Sequence, residues 1–444
     1  MTKASSYRRL VDHTRSKITW SRIFRVASYA KSSLWIIPII AIILELIAVR
    51  VLHVLDAWLG WQFRGLGFQG AEMLLQTVIT LTISFLVFTF GSLLVAIQVA
   101  SGQMTPRIIA TTLLRDNVVR YSVGLFVFTL LFNVTTLGRT EKVVHQLPLF
   151  LAGVLGLLSM VVFLYLIDYA ARLLRPVSIL GRVAEMGIAV IRFVYRQPTK
   201  GPRALATSDR KLGLPERTVL HEDRGEIILA INLEALVAEA ESADGIIEFV
   251  PHVGDFVAAG EPLFLLYSGA GAIDDQKLQA AVAFGPERTM EQDPTFAFRI
   301  LVDIGLKALS PAINDPTTAV LAIDQLHRLL RLAGQRHLHD DELHDGAGRL
   351  RLIFRTPNWE DFVHLAFAEI RHSGVGHIQI VRRLRAMIEN LIYSLPEHRH
   401  AALRNELDLL NRMIERSYTF PEDRALASIP DTQGLGGPAI RHVP

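Results

Sequence analysis

The sequence predicts a membrane α-helical bundle of four transmembrane helices, followed by a cytoplasmic α+β domain with a small β-sandwich-like part and a helical C-terminal part. Three observations carry this. The run from Met73 to Pro106 contains no Asp, Glu, Lys or Arg and is rich in Leu, Val, Ile and Phe, whereas about 20 apolar residues suffice to cross a bilayer. Three further apolar runs of spanning length lie within the first 170 residues, and charge crowds the remainder. The 444 residues carry a formal charge of only +3, but the basic residues gather at the ends of the apolar runs, which points to a membrane surface rather than to nucleic acid. The absence of cysteine from the chain excludes disulfides, thiolate metal sites and thiol lipidation.

Residues 1–32 read as a basic, partly amphipathic cytoplasmic arm. Eight Lys and Arg precede the first apolar run. Trp20, Ile23, Phe24 and Ala27 recur at helical i, i+3, i+4, i+7 spacing with Arg22 and Arg25 on the other side, the pattern of a helix lying on lipid. The run after Lys31 is too long for a secretory signal core, so the arm is expected to stay attached.

Residues 33–170 form the transmembrane domain, with spans at Leu34 to His53, Met73 to Pro106, Tyr121 to Gly138 and Val143 to Ile167. Lys and Arg flank the first span on its N-terminal side and recur at Arg107, Arg115 and Arg120, then at Arg172, Arg175 and Arg182. The opposite connections hold only Arg50, Arg64, Arg139 and Lys142. By the positive-inside rule the protein is multi-pass with both termini and the connection between spans two and three cytoplasmic, and Trp58, Trp61 and Phe63 lie at the outer interface.

Two polar features mark the membrane interior. In the second span Thr77, Ser84, Gly91 and Gln98 recur every seven residues, with Thr80 and Ser101 near the same face. Such a stripe has to avoid lipid, either as a close helix contact or as the lining of a hydrated path among several copies. Glu45 falls about midway through the first span, where a charge is costly and an acid turns towards protein or water. Asn133, equally deep in the third span, is the expected partner. Glu45 is read either as a functional acid or as a protonated tie between helices.

The second span ends in Ser101-Gly102-Gln103-Met104-Thr105-Pro106-Arg107, where Pro106 stops or kinks the helix and Arg107 meets the headgroups. Through Gln98, Ser101, Pro106 and Arg107, and through the later run Ala308-Leu309-Ser310-Pro311-Ala312-Ile313-Asn314-Asp315-Pro316-Thr317-Thr318-Ala319, the chain resembles the bacterial predicted membrane proteins classified only as a domain of unknown function. The resemblance runs from the first span to about Ser417. It implies an inner-membrane protein with a cytoplasmic C-terminal half, and it brings no assigned activity.

Residues 171–215 read as a membrane-exit helix, Asp168 to Val194, and a Pro- and Gly-containing linker. Residues 216–286 form a small α+β subdomain, with strands at Gly225 to Ile231, Gly245 to Pro251 and Pro262 to Tyr267 and a helix capped by Asn232. The stretch from Gly245 to Leu263 is similar to half of a lipoyl- or biotinyl-type β-sandwich. No Lys lies between Lys211 and Lys277, so the expectation is a structural unit and not a covalent carrier. Residues 287–420 form a helical subdomain. Asp293-Pro294 and Asp315-Pro316 each place an acidic cap before proline at a helix start, Gly334 ends the second of these helices, and further helices cover Trp359 to Arg371, Gly376 to Leu395 and Pro396 to Arg416. Residues 421–444, rich in Pro and Gly, are expected to be disordered.

Among candidate sites in this half, the amides opening the helix at Pro316 are suited to an anion, unless Asp315 already occupies them while Asn314 shapes the turn. Ser310, Asn314 and Asp315, with Ser101, Pro106 and Arg107, are the family-motif site residues. His337, His339, Asp340, Asp341, Glu342, His344 and Asp345 are types that ligate divalent metals, but their spacing matches no zinc motif and a water-exposed loop is the simpler account. Arg382, Arg383 and Arg385 fit nucleic acid less well than a solvated face or inter-subunit ion pairs. No serine elbow, HExxH or phosphate loop is present. The expectation is therefore a non-enzymatic, cofactor-free, metal-free homo-oligomer in the lipid bilayer, channel- or transport-like with a gating or sensing cytoplasmic domain. The rival is a membrane-anchored binding or signalling module. The membrane-interior candidates are Glu45, Thr77, Ser84, Gly91, Gln98 and Asn133.

Overall fold

The computed structural model describes residues 19–59, 67–105, 116–139, 146–173, 175–199, 212–338 and 342–437. Pro106, Arg107, Trp61, Phe63, Lys142, His339, Asp340, Asp341, the arm before Thr19, most of the linker and residues 438–444 lie outside them. The chain divides into two compact units, residues 30–179 on one hand and residues 1–29 with 180–444 on the other.

The opening helix is α1 (Trp20–Ser32). Next come α2 (Ile36–Leu59), α3 (Phe68–Gln103), α4 (Asn117–Arg139) and α5 (Gln146–Leu173), the four helices long and apolar enough to cross a membrane. The 36 residues of α3 make a rod of about 54 Å, well beyond a hydrocarbon core of ~30 Å. It begins earlier than the charge-free run and takes in Glu72, whose exposed carboxylate accepts from Gln76 Nε2 at 3.1 Å.

Small residues let these helices approach. A Cβ on Gly124 of α4 would stand 2.6 Å from Ile37 Cγ2 of α2, and one on Gly156 of α5 would stand 2.7 Å from Val78 Cγ2 of α3. Phe85 of α3 stacks on Phe163 of α5 at 4.2 Å and tilts against Phe126 of α4 at 5.8 Å. Asp116 opens α4 by accepting from the Val119 N–H at 3.2 Å, and its other oxygen accepts from the Tyr169 hydroxyl at 2.5 Å.

In the second unit, α1 turns two residues of its apolar face, Trp20 and Phe24, onto the protein itself. Trp20 and Phe24 stack on each other at 5.4 Å and pack on Leu229, Ala230 and Ala283, because those rings find an apolar sheet face within the protein. Ser28 donates to Glu291 at 3.0 Å. Arg22, Ile23, Arg25 and Val26 stay exposed. The expected single exit helix is two: α5 ends at Leu173 and α6 (Pro176–Val194) starts anew, since a proline has no N–H to continue the ladder.

The α+β part comprises β1 (Arg217–Leu220), β2 (Glu226–Ile231), α7 (Leu233–Ser242), β3 (Ile246–Phe249), β4 (Phe256–Val257), β5 (Pro262–Tyr267), α8 (Asp275–Ala280) and β6 (Val282–Gly285). Asn232 caps α7 by accepting from Ala235 N at 3.1 Å. Then follow α9 (Pro294–Ala308), α10 (Pro316–Gly334), β7 (Glu342–His344), β8 (Leu350–Phe354), α11 (Trp359–Gly374), α12 (Ile378–Ser394), α13 (His400–Ser417) and α14 (Pro421–Ala427).

The strands form a five-stranded sheet, β1-β5-β3-β8-β7, and a three-stranded sheet, β4-β2-β6. One core joins them, with Ile228 and Val282 from the smaller sheet meeting Ile247, Phe264 and Leu352 from the larger. The sandwich is thus not confined to residues 216–286. The β7–β8 hairpin arrives from the helical half, and β8 pairs in parallel with β3, Ile247 opposite Leu352 and Phe249 opposite Phe354. Composition does not reveal this, because a short buried strand between helices reads as an apolar fragment.

Arg351 fastens that joint. Its side chain is 3% exposed and reaches Asp345 at 3.0 Å and Asp244 at 2.6 Å, and it donates to Gly245 O. Asp345 accepts from the Arg349 and Ala347 amides at 2.8 and 2.9 Å. These backbone bonds, foremost that of Arg349, and the two guanidiniums hold its carboxyl down to about 2.

A second buried carboxyl, Asp293, caps α9 by accepting from Phe296 N at 3.1 Å and from Thr295 Oγ1 at 2.5 Å. Burial pushes it up although Arg288 Nε stands 3.4 Å away. Gly254, at φ +97°, covers the pair so closely that a Cβ would lie 2.4 Å from Arg288 Nη2 and 2.5 Å from Asp293 Oδ2. Residues 421–437, expected to be disordered, instead form α14 and a strap: Arg382 donates to Ile429 O at 3.1 Å and to Gly437 O at 2.8 Å, and Asp431 accepts from the Gly434 and Gly436 amides. The glycines there supply left-handed turns, Gly434 at φ +71° and Gly436 at φ +74°, and do not loosen the chain.

Two outcomes follow. Gly254→Ala is expected to destabilise this unit by roughly 2 kcal/mol or more, from the left-handed backbone and the overpacking together. Gly260→Ala, at φ +86° with nothing within 4 Å of its Cβ, should suffer only the backbone part, and urea unfolding of both variants compares them. The Asp345 carboxyl titrates at about 2 when folded and near 3.8 when free. Its stabilisation is therefore present above about pH 4 and is lost as pH falls towards 2. Thermal melts of wild type and Asp345→Asn should differ most at neutral pH and converge over that window.

Candidate functional site

The inner face of α3 is set by Leu75, Thr82, Thr89 and Ala96, all buried at seven-residue spacing. Thr82 and Thr89 donate to the carbonyls of Val78 and Phe85, each at 2.7 Å, so these hydroxyls sit in an apolar contact without an unmet donor. The stripe of Thr77, Ser84, Gly91 and Gln98 occupies the other face. All four are exposed, and a Cβ on Gly91 would meet nothing within 4 Å. The stripe therefore is no contact with the other described helices. Thr77, Thr80 and Ser84 donate to the carbonyls of Met73, Gln76 and Thr80 at 2.7, 2.9 and 2.9 Å. Ser101 is half-buried where the stripe ends.

Glu45 does turn inward and is 3% exposed, and its Oε1 has no hydrogen-bond partner among the described residues. Asn133 is fully buried; its amide donates to Thr129 O at 2.7 Å while Oδ1 is left without a partner among the same residues. The two are level but not bonded. Arg120 meets Ala30 O, Gly124 meets Ile37, and Val49 and Phe132 share one cluster, so α2 and α4 run in the same direction. Glu45 follows Ile37 by eight residues, as Phe132 follows Gly124. Asn133, nine residues beyond Gly124, is two and a half turns on at about 3.6 residues per turn, which sets it on the flank of α4 opposite the Ile37 contact. Instead of a Glu45–Asn133 pair, the layer holds a hydroxyl pair that the sequence reading missed: Ser159 of α5 donates to Thr129 of α4 at 3.0 Å, both fully buried. The available signal was weak, a lone Ser and a lone Thr in apolar runs.

At the second motif, Asn314 adopts φ +47° and its N–H donates to Ser310 O at 2.8 Å. Asp315 accepts from Thr318 N at 3.1 Å and from Thr318 Oγ1 at 2.5 Å, and the Ser310 hydroxyl donates to Lys307 O at 2.6 Å. The side-chain oxygens thus build the turn and cap α10, as Asx and cap geometry allows.

The His- and Asp-rich segment is not a plain exposed loop. Glu342 and His344 lie in β7, and Asp345 is engaged by Arg349 and Arg351. Among the described residues no three His, Asp or Glu side chains converge as a metal site. Neither is the α12 basic run a solvated face. Arg382, Arg383 and Arg385 are all under 8% exposed; Arg382 bonds strap carbonyls, Arg383 reaches Asp324 at 2.7 Å, and Arg385 bonds Asn411. An Arg side chain is long enough to cover apolar surface and still find acceptors, which hides its burial from composition. The same unit contains a cleft of about 910 Å³ lined by Trp20, Phe193, Leu343 and Phe354 together with Arg196, Glu234, His337 and Arg355, a size and mixed polarity that suit a small ligand.

An uncharacterized protein of Mycobacterium bovis is 25% identical over 90% of this chain and 80% of its own length, and uncharacterized proteins of two Mycobacterium tuberculosis strains match to the same extent. No solved structure matches. Residues 31–390 match the family model described as predicted membrane protein DUF2254, a match that takes in all four apolar helices, both sheets and most of α12. The chain belongs to that family of predicted membrane proteins.

Proposed function

We propose that the protein is a homo-oligomeric, channel- or transport-like protein of the bacterial inner membrane, with both termini cytoplasmic and the α+β half acting as gate or sensor. One observation supports this above the rest: the polar stripe of α3 points away from its own helices. Thr77, Thr80 and Ser84 satisfy their hydroxyls within α3, but Gln98 is exposed, and an amide facing hydrocarbon without a partner costs several kcal/mol. A second copy, or water at an axis between copies, relieves that cost. The burial of Arg382, Arg383 and Arg385 argues against a nucleic-acid face on α12. The cleft itself favours the second reading, a membrane-anchored binding or signalling module.

Ion flux from liposomes holding the purified protein separates the two. The transport reading expects flux in wild type and a fall of about tenfold in Ser84→Leu, equivalent to ~1.4 kcal/mol added to the passage barrier, with oligomer size unchanged by cross-linking. Intact oligomers that pass no ion at any pH would leave the anchor reading.

A further inference from the structure

We propose that the outward face of α1 binds the surface of an anionic bilayer, so that one short helix ties the α+β half to lipid. The inference goes beyond the transport reading and does not depend on it. α1 already uses one face: Trp20 and Phe24 pack on Leu229, Ala230 and Ala283, Ser21 is buried, and Ser28 donates to Glu291. Two rows remain outside, each at i, i+3, i+7 spacing and therefore along one side of a helix. Ile23, Val26 and Ala30 make the apolar row, and Arg22, Arg25 and Tyr29 make the basic one beside it. Ile23 is 54% exposed, Val26 68% and Tyr29 58%, and both arginines are exposed. A single exposed apolar side chain is ordinary on a protein surface. Three within two turns, flanked by arginines, are the arrangement of a helix that beds its apolar row among lipid headgroups.

Two observations make the occupant a bilayer. The first is continuity with the spans. Only Ser33, Leu34 and Trp35 separate α1 from α2, and the carbonyl of Ala30, which closes the apolar row, accepts at 2.9 Å from Nη2 of Arg120 in the first turn of α4. An exposed Trp35 just before α2 is the ring expected at a membrane interface. The C-terminal end of α1 is thus at the level where α2 and α4 begin, and Val26 and Ile23 lie only about 6 and 10 Å from Ala30 along the helix axis. The second observation is charge. α1 contains no Asp or Glu, and before Ile36 only Asp12 is acidic, against eight Lys and Arg. A segment of that charge beside a bilayer attracts anionic headgroups, and guanidiniums reach phosphate while their stems lie along apolar surface. The sheet contact and the lipid contact use different rows of α1, so they coexist.

Because the chain has no cysteine, one introduced thiol is a unique probe. Ile23→Cys and Val26→Cys, each carrying a nitroxide in the full-length protein in liposomes, are compared with Arg404→Cys at an exposed position of α13. Relaxation by oxygen, which concentrates in lipid, is read against relaxation by a neutral, water-soluble nickel chelate. The proposal expects both α1 labels to favour oxygen over the chelate several-fold relative to position 404. Chelate access should fall by a further factor of about two or more when phosphatidylglycerol replaces part of the phosphatidylcholine. That further fall should vanish in Arg22→Gln/Arg25→Gln and shrink as salt rises with both arginines in place. The salt series changes no residue, so a folding defect of the double variant cannot mimic the result. Chelate access at positions 23 and 26 equal to that at 404 overturns the proposal. Labels shielded from both reagents show that protein covers the row, and overturn it as well. Lipid burial indifferent to phosphatidylglycerol, to salt and to the arginines overturns the anionic-lipid assignment.

Discussion

Backbone N–H and C=O groups in hydrocarbon have no water to bond, so a chain crossing it must close its hydrogen bonds within each segment. The four apolar helices between residues 36 and 173 meet that constraint. Each apolar run is one helix, the side-chain hydroxyls of Thr82, Thr89 and Thr136 fold back onto carbonyls of their own helix, and helices meet where Gly124 and Gly156 leave room for Ile37 and Val78. Against that economy the groups left over stand out. Glu45 and Asn133 are buried with an oxygen unmet, and Gln98 faces outward. The function proposed for this protein attaches to Gln98 and its stripe because they are where the solvent argument leaves something unfinished.

The second unit solves a different problem, how to make one core from segments far apart in the chain. The hairpin of β7 and β8 completes the sheet begun by β1, β3 and β5, and Arg351 with Asp345 and Asp244 pins the crossing. A buried ion pair of this kind adds little by itself relative to apolar packing, but removing one partner leaves the other charge stranded. The same logic governs Arg371 with Glu406 at 3.1 Å and Arg382 with the strap carbonyls. Charged residues here act as clamps between elements, and their number in the sequence says nothing of a basic surface.

The strap has a comparable lesson. Gly434, Gly436 and Gly437 sit in a stretch whose composition resembles disordered tails, yet Asp431 gathers the amides around it and Arg382 receives the carbonyls. Glycine density marks freedom in the unfolded chain; whether that freedom becomes a mobile tail or a run of left-handed turns depends on what the segment meets.

Apolar run length, the Asp-Pro helix starts at Pro294 and Pro316, the Asn232 cap and the strand composition of β2 and β5 were legible along the chain, because each depends on neighbours within a few residues. The family motif was legible too, though its Ser310, Asn314 and Asp315 turned out to shape a turn. Hidden were the missing bond between Glu45 and Asn133, the side of α3 that the stripe occupies, the burial of Arg382, Arg383 and Arg385, and the joining of β8 to β3. The amino-acid sequence by itself determined four apolar helices and a mixed α+β half, since local propensity and solvent transfer act residue by residue. Only the tertiary structure decided which faces are covered, because a helix has no inside until another element is packed against it.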